Sequence, residues 1–136
     1  MSSPLKIAKY SIGVGDRFAQ EAQAQLRACE LAARQGVTVV PVWNKSNREH
    51  TIIGSEPGSV RAAAGAAVQK SGWTHGWHVD ADHIRLETVD RFLPHCDFYT
   101  IDVADSIGKA AAPDAVKRFV DKHSELARTL AISGIT

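Results

Sequence analysis

The fold is decided by the stretch His78-Val79-Asp80-Ala81-Asp82-His83-Ile84-Arg85. Its first residues end an apolar segment, 76–80, that is typical of a buried strand, and two carboxylates, an imidazole and a guanidinium follow at once. A similar arrangement recurs in Tyr99-Thr100-Ile101-Asp102-Val103-Ala104-Asp105. Acidic residues therefore follow two successive apolar strands, which predicts one site built from neighbouring loops at the carboxyl edge of a parallel sheet.

Strand-like and helix-like segments alternate along the chain. The predicted strands are 7–12, 37–43, 76–80 and 97–103, and the predicted helices are 18–35, 56–71, 88–93, 113–123 and a fading segment over 124–136. This alternation predicts an α/β fold with a parallel sheet and right-handed crossovers. Four such strands can form a small open sheet or the first half of a TIM-barrel-like (β/α)8 fold, which needs about 250 residues when closed.

Turn and capping residues mark the boundaries of these elements. Asp16 is placed to cap the first helix and Gly36 to end it, and Ser55 is placed to cap the second helix. Pro41 has no N–H group, which predicts an interrupted or terminal position in the strand ladder. The polar stretch 44–56 shows no periodicity and is predicted to be a functional loop.

Length and composition place the chain among globular proteins. Its 136 residues, 44% of them apolar, are enough for a single α/β domain over 1–136. The net charge of +1 argues against a nucleic-acid partner, and no apolar run approaches the roughly 20 residues of a membrane span. The start is not a signal peptide and neither cysteine has a Cys-x-x-Cys partner, so we expect reduced thiols in a cytoplasmic protein.

The turn after the first strand, Gly13-Val14-Gly15-Asp16-Arg17, exposes backbone amides beside a carboxylate and a guanidinium. It lacks the third glycine of the dinucleotide fingerprint, because Phe18 stands there, and it also fails the P-loop pattern. The turn, with Asp16 and Arg17, is a candidate to hold a substrate carboxylate at the start of a helix. Simple turn chemistry with an N-cap explains the same pattern and is favoured by it.

A second polar stretch, Trp43-Asn44-Lys45-Ser46-Asn47-Arg48-Glu49-His50, follows the second strand. Ligands of parallel α/β sheets bind at the ends of strands. Asn44, Lys45 and Arg48 suit a polyhydroxylated, anionic small molecule, although surface loops are polar in general. The isolated histidines, at 50, 75, 95 and 123, are predicted to be surface residues.

The segment Asp80-Ala81-Asp82-His83 carries the densest chemistry. In a regular strand Asp80 and Asp82 point to one side and His83 to the other, so they cannot all reach one metal ion. If the chain turns after Asp82, His83 swings to the mouth of the sheet, where one carboxylate could act as a base and the imidazole as a ligand. A capping aspartate with a surface histidine is the other interpretation, and Asp102 and Asp105 carry the same ambiguity.

Four segments taken together resemble the tagaturonate epimerase family. They are Tyr10-Ser11-Ile12-Gly13-Val14-Gly15-Asp16-Arg17-Phe18, Pro41-Val42-Trp43-Asn44-Lys45-Ser46-Asn47-Arg48-Glu49-His50, Asp80-Ala81-Asp82-His83-Ile84 and Phe98-Tyr99-Thr100-Ile101-Asp102-Val103-Ala104-Asp105. Their order and spacing match the family, and the resemblance runs from about residue 10 to the end of the chain. It implies a TIM-barrel-like fold and a divalent-metal-dependent isomerase, an epimerase that interconverts D-tagaturonate and D-fructuronate in hexuronate catabolism.

The resemblance also assigns roles by matching position. Asp82 would be the proton acceptor, and His83 would be a ligand of a divalent metal ion, Zn, Mn or Ni. The residues expected to bind the small-molecule sugar acid are Asp16, Arg17, Asn44, Lys45, Arg48, Asp80 and Asp102. Family members are much longer, so the chain is expected to be an incomplete N-terminal part of a barrel, inactive alone. Open sheet edges in such a part further predict a homo-oligomer.

Two other functions fit parts of the pattern. A magnesium-dependent phosphohydrolase also begins with an aspartate-rich strand end, although no phosphate loop is found and a histidine lies in the cluster. A non-catalytic sugar-binding α/β module fits a short chain with an incomplete site. Activity on sugar phosphates with Mg²⁺ would indicate the phosphohydrolase, and tight binding of a uronate without turnover would indicate the module.

Overall fold

The computed structural model describes residues 8–125. Its contacts divide the chain into two compact units, Met1–Val103 and Ala104–Thr136. The strands of the first unit are β1 (Ser11–Val14), β2 (Val40–Ser46), β3 (His78–Ile84) and β4 (Phe98–Ile101). The helices of the first unit are α1 (Ala22–Arg34), α2 (Asn47–Ile53), α3 (Pro57–Ser71) and α4 (Leu86–Val89). The second unit contains a 3-10 turn (Ala104–Ser106) and α5 (Pro113–Lys122).

The sheet of the first unit is parallel throughout. Its strand order is β1-β2-β3-β4, so each strand pairs with the next one along the chain. This confirms the predicted α/β class with alternating strands and helices. Sequential order without a reversal is also the order of successive strands in a (β/α)8 barrel, whereas a doubly wound sheet reverses its order at a switch point.

The helices α1 and α3 pack against one face of this sheet. The core between them contains Leu26 from α1, Ala64 from α3 and Val79 from β3, none of them more than 1% exposed. Trp43 from β2 joins this core, and its indole N–H donates to Oε1 of Gln25 at 2.9 Å. The hydrogen bond satisfies the one polar atom of a large buried ring, so the tryptophan packs without an unpaired donor.

The prediction of a functional loop over 44–56 is wrong. β2 continues to Ser46 and runs directly into α2. A capping box holds this junction, because the Ser46 hydroxyl accepts the backbone N–H of Glu49 at 3.2 Å and the Glu49 carboxylate accepts the N–H of Ser46 at 3.1 Å. Serine followed three residues later by glutamate therefore starts a helix where the apparent lack of periodicity indicated a loop.

The predicted caps at Asp16 and Ser55 also differ from the structure. The Asp16 carboxylate accepts backbone N–H groups across the turn that precedes α1, as far as Glu21, so the helix begins at Ala22 instead of residue 18. α3 begins at Pro57, and the preceding Glu56 occupies the N-cap position without a side-chain hydrogen bond. Ser55 points instead to buried groups beneath α2.

Gly36 occupies its predicted position, whereas Pro41 is terminal only toward β3, because its ladder to β1 is uninterrupted. Gly36 follows α1 closely with φ +84°, a conformation that a residue with a Cβ adopts only with strain. Pro41 pairs with Ile12 of β1, and the ladder to β3 begins at Val42. The ladder between β2 and β3 starts after Pro41, so the missing N–H of the proline removes no hydrogen bond from it.

Some sequence predictions are not tested by this structure. The first predicted strand begins at residue 7 and the predicted helical tail extends past residue 125, which places parts of both outside the described residues. The single domain, the homo-oligomer and the cytoplasmic location stay predictions. Within residues 8–125, no helix combines the length and the apolar character needed to cross a membrane.

Candidate active site

A cavity of about 430 Å³ opens at the carboxyl ends of β2, β3 and β4. Parallel sheets place their ligands at this edge, because polar residues that follow neighbouring strands meet there. The residues that line it are Ser46, Asn47, Arg48, Glu49, Asp82, His83, Arg85, Thr88 and Asp102. The structure therefore brings together four of the predicted site residues: Arg48, Asp82, His83 and Asp102.

The Asp82–His83 pair lies where β3 departs from regular geometry. The pairing of β3 with β4 shifts register between Ala81 and Ile84, and His83 has φ +54°. Ala81 and Ile84 both pack in one small core with Phe92, although residues three apart would face opposite sides of a regular strand. The bulge thus provides the turn after Asp82 that the sequence left open.

The bulge brings the imidazole of His83 back to the carboxylate beside it. Nδ1 of His83 lies 2.9 Å from Oδ1 of Asp82, and the histidine side chain is 67% exposed while that of Asp82 is 24% exposed. The contact is made by Nδ1, so Nε2 is the ring nitrogen that Asp82 does not engage. One side of the cavity therefore presents a carboxylate and an oriented imidazole together.

Arg85 and Asp102 form the next part of the cavity wall. Nε and Nη2 of Arg85 both lie 2.9 Å from Oδ2 of Asp102, so the ends of β3 and β4 are joined by an ion pair. Asp102 is thus engaged by a guanidinium. If Asp102 also binds substrate, as predicted, it would do so while it is paired with Arg85.

Positive and negative groups of the β2–α2 junction complete the wall. Glu49 has its pKa held below the usual range, first by the hydrogen bond from the Ser46 backbone and also by the Arg17 guanidinium 3.8 Å away. Arg17, a predicted ligand, therefore reaches the site through Glu49 and does not line the cavity. Arg48 is exposed and, among residues 8–125, has no hydrogen-bond or ion-pair partner. Of the two arginines that line the cavity, Arg85 is paired with Asp102 and Arg48 is free to bind an anionic ligand.

Asp80 lies on the same side of β3 as Asp82 but outside the cavity lining. It is 8% exposed, and its carboxylate accepts the Oγ1–H of Thr100 at 2.8 Å and the backbone N–H of Thr100 at 3.2 Å. Burial raises the pKa of this carboxyl, and the bonds from Thr100 oppose the increase. Asp80 therefore connects β3 to β4, and its role as a substrate ligand stays a prediction.

Lys45 is buried beneath α2, away from the cavity. It is 2% exposed, and its ammonium donates to Oγ of Ser55 at 2.9 Å. Oγ of Ser55, which accepts from the lysine, also lies 2.8 Å from Nδ1 of His50, within hydrogen-bond distance. Burial lowers the pKa of Lys45, whereas the nearby Glu49 and Asp16 carboxylates raise it. Lys45 does not line the cavity, and its role as a substrate ligand stays a prediction.

His50 was predicted at the surface and is instead 1% exposed. Burial, followed by the positive charges of Lys45 and Arg91, lowers its pKa from 6.5 to about 4, although Glu56 and Glu49 oppose this. Unfolded chains therefore bind a proton at His50 below pH 6.5 that folded chains do not bind until about pH 4. The free energy of unfolding should fall as the pH drops through this window, by up to roughly 1.4 kcal/mol per pH unit.

Urea denaturation between pH 7 and pH 4 measures this dependence. His50→Gln should lower that slope, because glutamine does not titrate, while His75→Gln, at an exposed histidine, should leave it unchanged. Equal slopes in the wild type and His50→Gln would show that His50 is not the titrating group.

Asp16 and Asn44 lie near each other beside β1, away from the main cavity. Three backbone N–H groups bind the Asp16 carboxylate, and although burial raises its pKa, these bonds lower it on balance. A Cβ on Gly15 would collide with Oδ1 of Asn44 and lie 2.5 Å from its backbone oxygen. The glycine thus allows β1 to approach Asn44 closely, and this region is built for packing and turn formation.

Several cavity residues were missed at the sequence level. They are Ser46, Asn47, Glu49, Arg85 and Thr88. The capping box that begins at Ser46 was a readable signal for the first three, because it places the start of a helix at the end of a strand. Placing Arg85 in the cavity wall requires knowledge of how β3 pairs with β4, and no local sequence pattern contains that pairing.

The fit of a divalent metal rests on Asp82 and His83. Carboxylate oxygen and imidazole nitrogen are suitable donors for Zn, Mn or Ni, and the contact of Nδ1 with Asp82 leaves Nε2 as the nitrogen available to a metal ion. No group of three or more possible His, Cys, Asp or Glu ligands occurs in the part of the chain that the structure describes. These residues therefore fit part of a metal site, and further ligands would have to come from elsewhere.

This is a parallel α/β sheet with carboxylates, an imidazole and arginines at its carboxyl edge, which is where proteins of this class bind small polar molecules. The chain belongs to the tagaturonate epimerase family, whose sequence model matches residues 1–133. This confirms the resemblance carried by the four motifs. No curated protein sequence matches the chain.

Solved structures of the fructuronate-tagaturonate epimerase UxaE from Cohnella laeviribosi are similar to this chain. Its complex with two glycerol molecules has 25% identity and a TM-score of 0.66, with 91% of this chain and 26% of that chain covered. Its complex with one glycerol has 27% identity and a TM-score of 0.62, with 87% and 24% covered. This chain thus spans about a quarter of the length of that epimerase.

Proposed function

We propose that this chain contributes its cavity to an enzyme that interconverts D-tagaturonate and D-fructuronate. The observation that carries the proposal is the Asp82–His83 pair, which a bulge in β3 directs into the cavity of a chain that belongs to the tagaturonate epimerase family. The charges suit a sugar acid, because Arg48 is available for a carboxylate and the surrounding polar groups are available for hydroxyls. The family membership favours this function over a phosphohydrolase or a binding module.

The residues support a retro-aldol route. The two sugar acids differ at the carbon β to the ketone, whose C–H is not acidic, so direct deprotonation there is slow. Asp82 would take the proton of the hydroxyl on that carbon, and the bond between the α and β carbons would break to give an aldehyde and an enolate. Rotation of the aldehyde and re-addition would reform the bond with the opposite configuration. The proton then returns to the new hydroxyl.

A divalent cation, when bound, would polarise the ketone and stabilise negative charge on its oxygen. His83 would hold it through Nε2, and the contact between Nδ1 and Asp82 would keep the ring oriented. Arg48 would fix the carboxylate end of the sugar acid. This leaves the hydroxyl at the β carbon to be placed against Asp82.

Turnover in D₂O tests the proposal and the route together. The intact protein, supplied with Zn²⁺, Mn²⁺ or Ni²⁺, should convert D-tagaturonate to D-fructuronate without deuterium at the inverted carbon, because that C–H bond is never broken. NMR of the product measures the incorporation. Stoichiometric deuterium would replace the retro-aldol route by direct deprotonation, and release of phosphate from sugar phosphates with Mg²⁺ would favour a phosphohydrolase instead.

A further inference from the structure

Asn47 connects the cavity to Arg91, a residue that does not line it. Asn47 is the first residue of α2, and Arg91 follows α4 in the connection between β3 and β4. Nη1 of Arg91 donates to Oδ1 of Asn47 at 2.9 Å. The contact therefore joins two chain segments that flank the cavity from different strands.

The chemistry of Arg91 determines which way the Asn47 amide faces. A guanidinium has donors and no acceptor, so the atom it contacts must be the carbonyl oxygen of the amide. Nδ2 of Asn47 is then the free end, and within residues 8–125 it has no hydrogen-bond partner. Asn47 lines the cavity, and both N–H donors of its amide are left without a partner among these residues.

Arg91 is held firmly enough to impose this orientation. Nη2 of Arg91 lies 2.8 Å from Oε2 of Glu56 and 3.4 Å from the backbone oxygen of Ser55, and the guanidinium lies 5.7 Å from the centre of the buried Phe92 ring. The Glu56 side chain is 78% exposed, so this ion pair adds little to the stability of the fold. Its main effect is to fix the guanidinium against Asn47.

We propose that Asn47 is a specificity-determining hydrogen-bond donor for an oxygen of the sugar acid, and that Arg91 is the positioning residue that turns its amide nitrogen toward the cavity. The inference rests on the proposed function for the identity of the ligand. It deepens that function by adding a neutral, directional donor beside the charge of Arg48. Hydroxyl and carboxylate oxygens both accept from such a donor, whereas an amide turned the other way would present an acceptor to them.

Steady-state kinetics with D-tagaturonate in the intact protein test the proposal. Asn47→Asp preserves the size of the side chain and the bond from Arg91 but removes the donor, and it should raise KM at least about 10-fold, the effect of losing one good hydrogen bond and adding a like charge. Arg91→Met should raise KM about 3- to 10-fold through loss of orientation. Arg27→Met is the matched control, because Arg27 is an exposed arginine with a surface ion pair outside this cavity.

A double-mutant cycle separates positioning from general structural damage. Once Asn47→Ala has removed the amide, Arg91→Met should raise KM no further, because there is nothing left for Arg91 to orient. Additive losses, or an unchanged KM in Asn47→Asp, would overturn the proposal.

The side-chain amide signal of Asn47 in ¹⁵N–¹H NMR gives a readout that does not depend on turnover. It should shift in Arg91→Met and stay in place in Arg27→Met, and an unmoved signal in Arg91→Met would overturn the positioning role. If the wild-type protein did not epimerise D-tagaturonate, the proposed function would fail. In that case, titration of this signal with D-tagaturonate decides the inference: a shift supports Asn47 as a donor to the sugar acid, and no shift overturns it.

Discussion

Replacing Asp82 with asparagine is expected to lower kcat for D-tagaturonate roughly 10³-fold, within the range that a general base contributes. Asparagine has the shape of aspartate and keeps an oxygen next to Nδ1 of His83, so the bulge in β3 should keep its geometry. It cannot take up the hydroxyl proton. KM should therefore change little while kcat collapses, and steady-state kinetics in the intact protein measure the two separately.

Asp114→Asn is the control for this substitution. Asp114 is an exposed aspartate in the first turn of α5 and is not one of the residues that line the cavity, so the same chemical change there should leave both constants unchanged. Thermal unfolding of Asp82→Asn should match the wild type. An Asp82→Asn enzyme that retained more than about a tenth of the wild-type kcat would show that Asp82 is not the base.

Leu26→Ala should lower the free energy of unfolding by roughly 3–5 kcal/mol. Leu26 belongs to α1, is 0% exposed and packs in the core with α3 and the sheet. Its truncation removes buried methyl groups and leaves a cavity that the surrounding helices fill only in part. Because small domains are stable by only about 5–15 kcal/mol, a loss of this size should be visible as a large shift of the urea midpoint.

Leu31→Ala provides the matched comparison, since both leucines lie in α1 and both substitutions keep a good helix former. Leu31 is 47% exposed, so its truncation should cost less than about 1 kcal/mol. Tryptophan fluorescence is a direct probe, because Trp43 packs in the same core as Leu26. Equal losses in the two variants would show that α1 does not pack on the sheet as described.

The architecture could be predicted because it depends on patterns that repeat. Strand-like and helix-like segments alternate, and this alone implies parallel pairing with crossovers. The same-side placement of Asp80 and Asp82 follows from the two-residue period of a strand. The same period could also have predicted the burial of Lys45. Trp43 faces the core, so Lys45, two residues later, lies on the same buried face of β2 and outside the cavity lining.

The remaining parts of the site depend on interactions between segments. The bulge at His83 arises from the shifted pairing of β3 with β4, and no local pattern specifies it. The Arg85–Asp102 pair and the contact between Arg91 and Asn47 likewise need the register of strands that are distant in sequence. Asp80 and Asp82 look equivalent in the sequence. The structure distinguishes them, because the Asp80 carboxylate is hydrogen-bonded to Thr100 of β4.

The left-handed backbone of His83 has a consequence for engineering this protein. A histidine at φ +54° is held in a conformation that costs on the order of 1 kcal/mol and that glycine adopts freely. A search for heat-resistant variants would therefore favour glycine at this position and discard the imidazole beside Asp82. Selection for robustness and selection for chemistry oppose each other at this residue, so stabilising libraries should keep residue 83 constant.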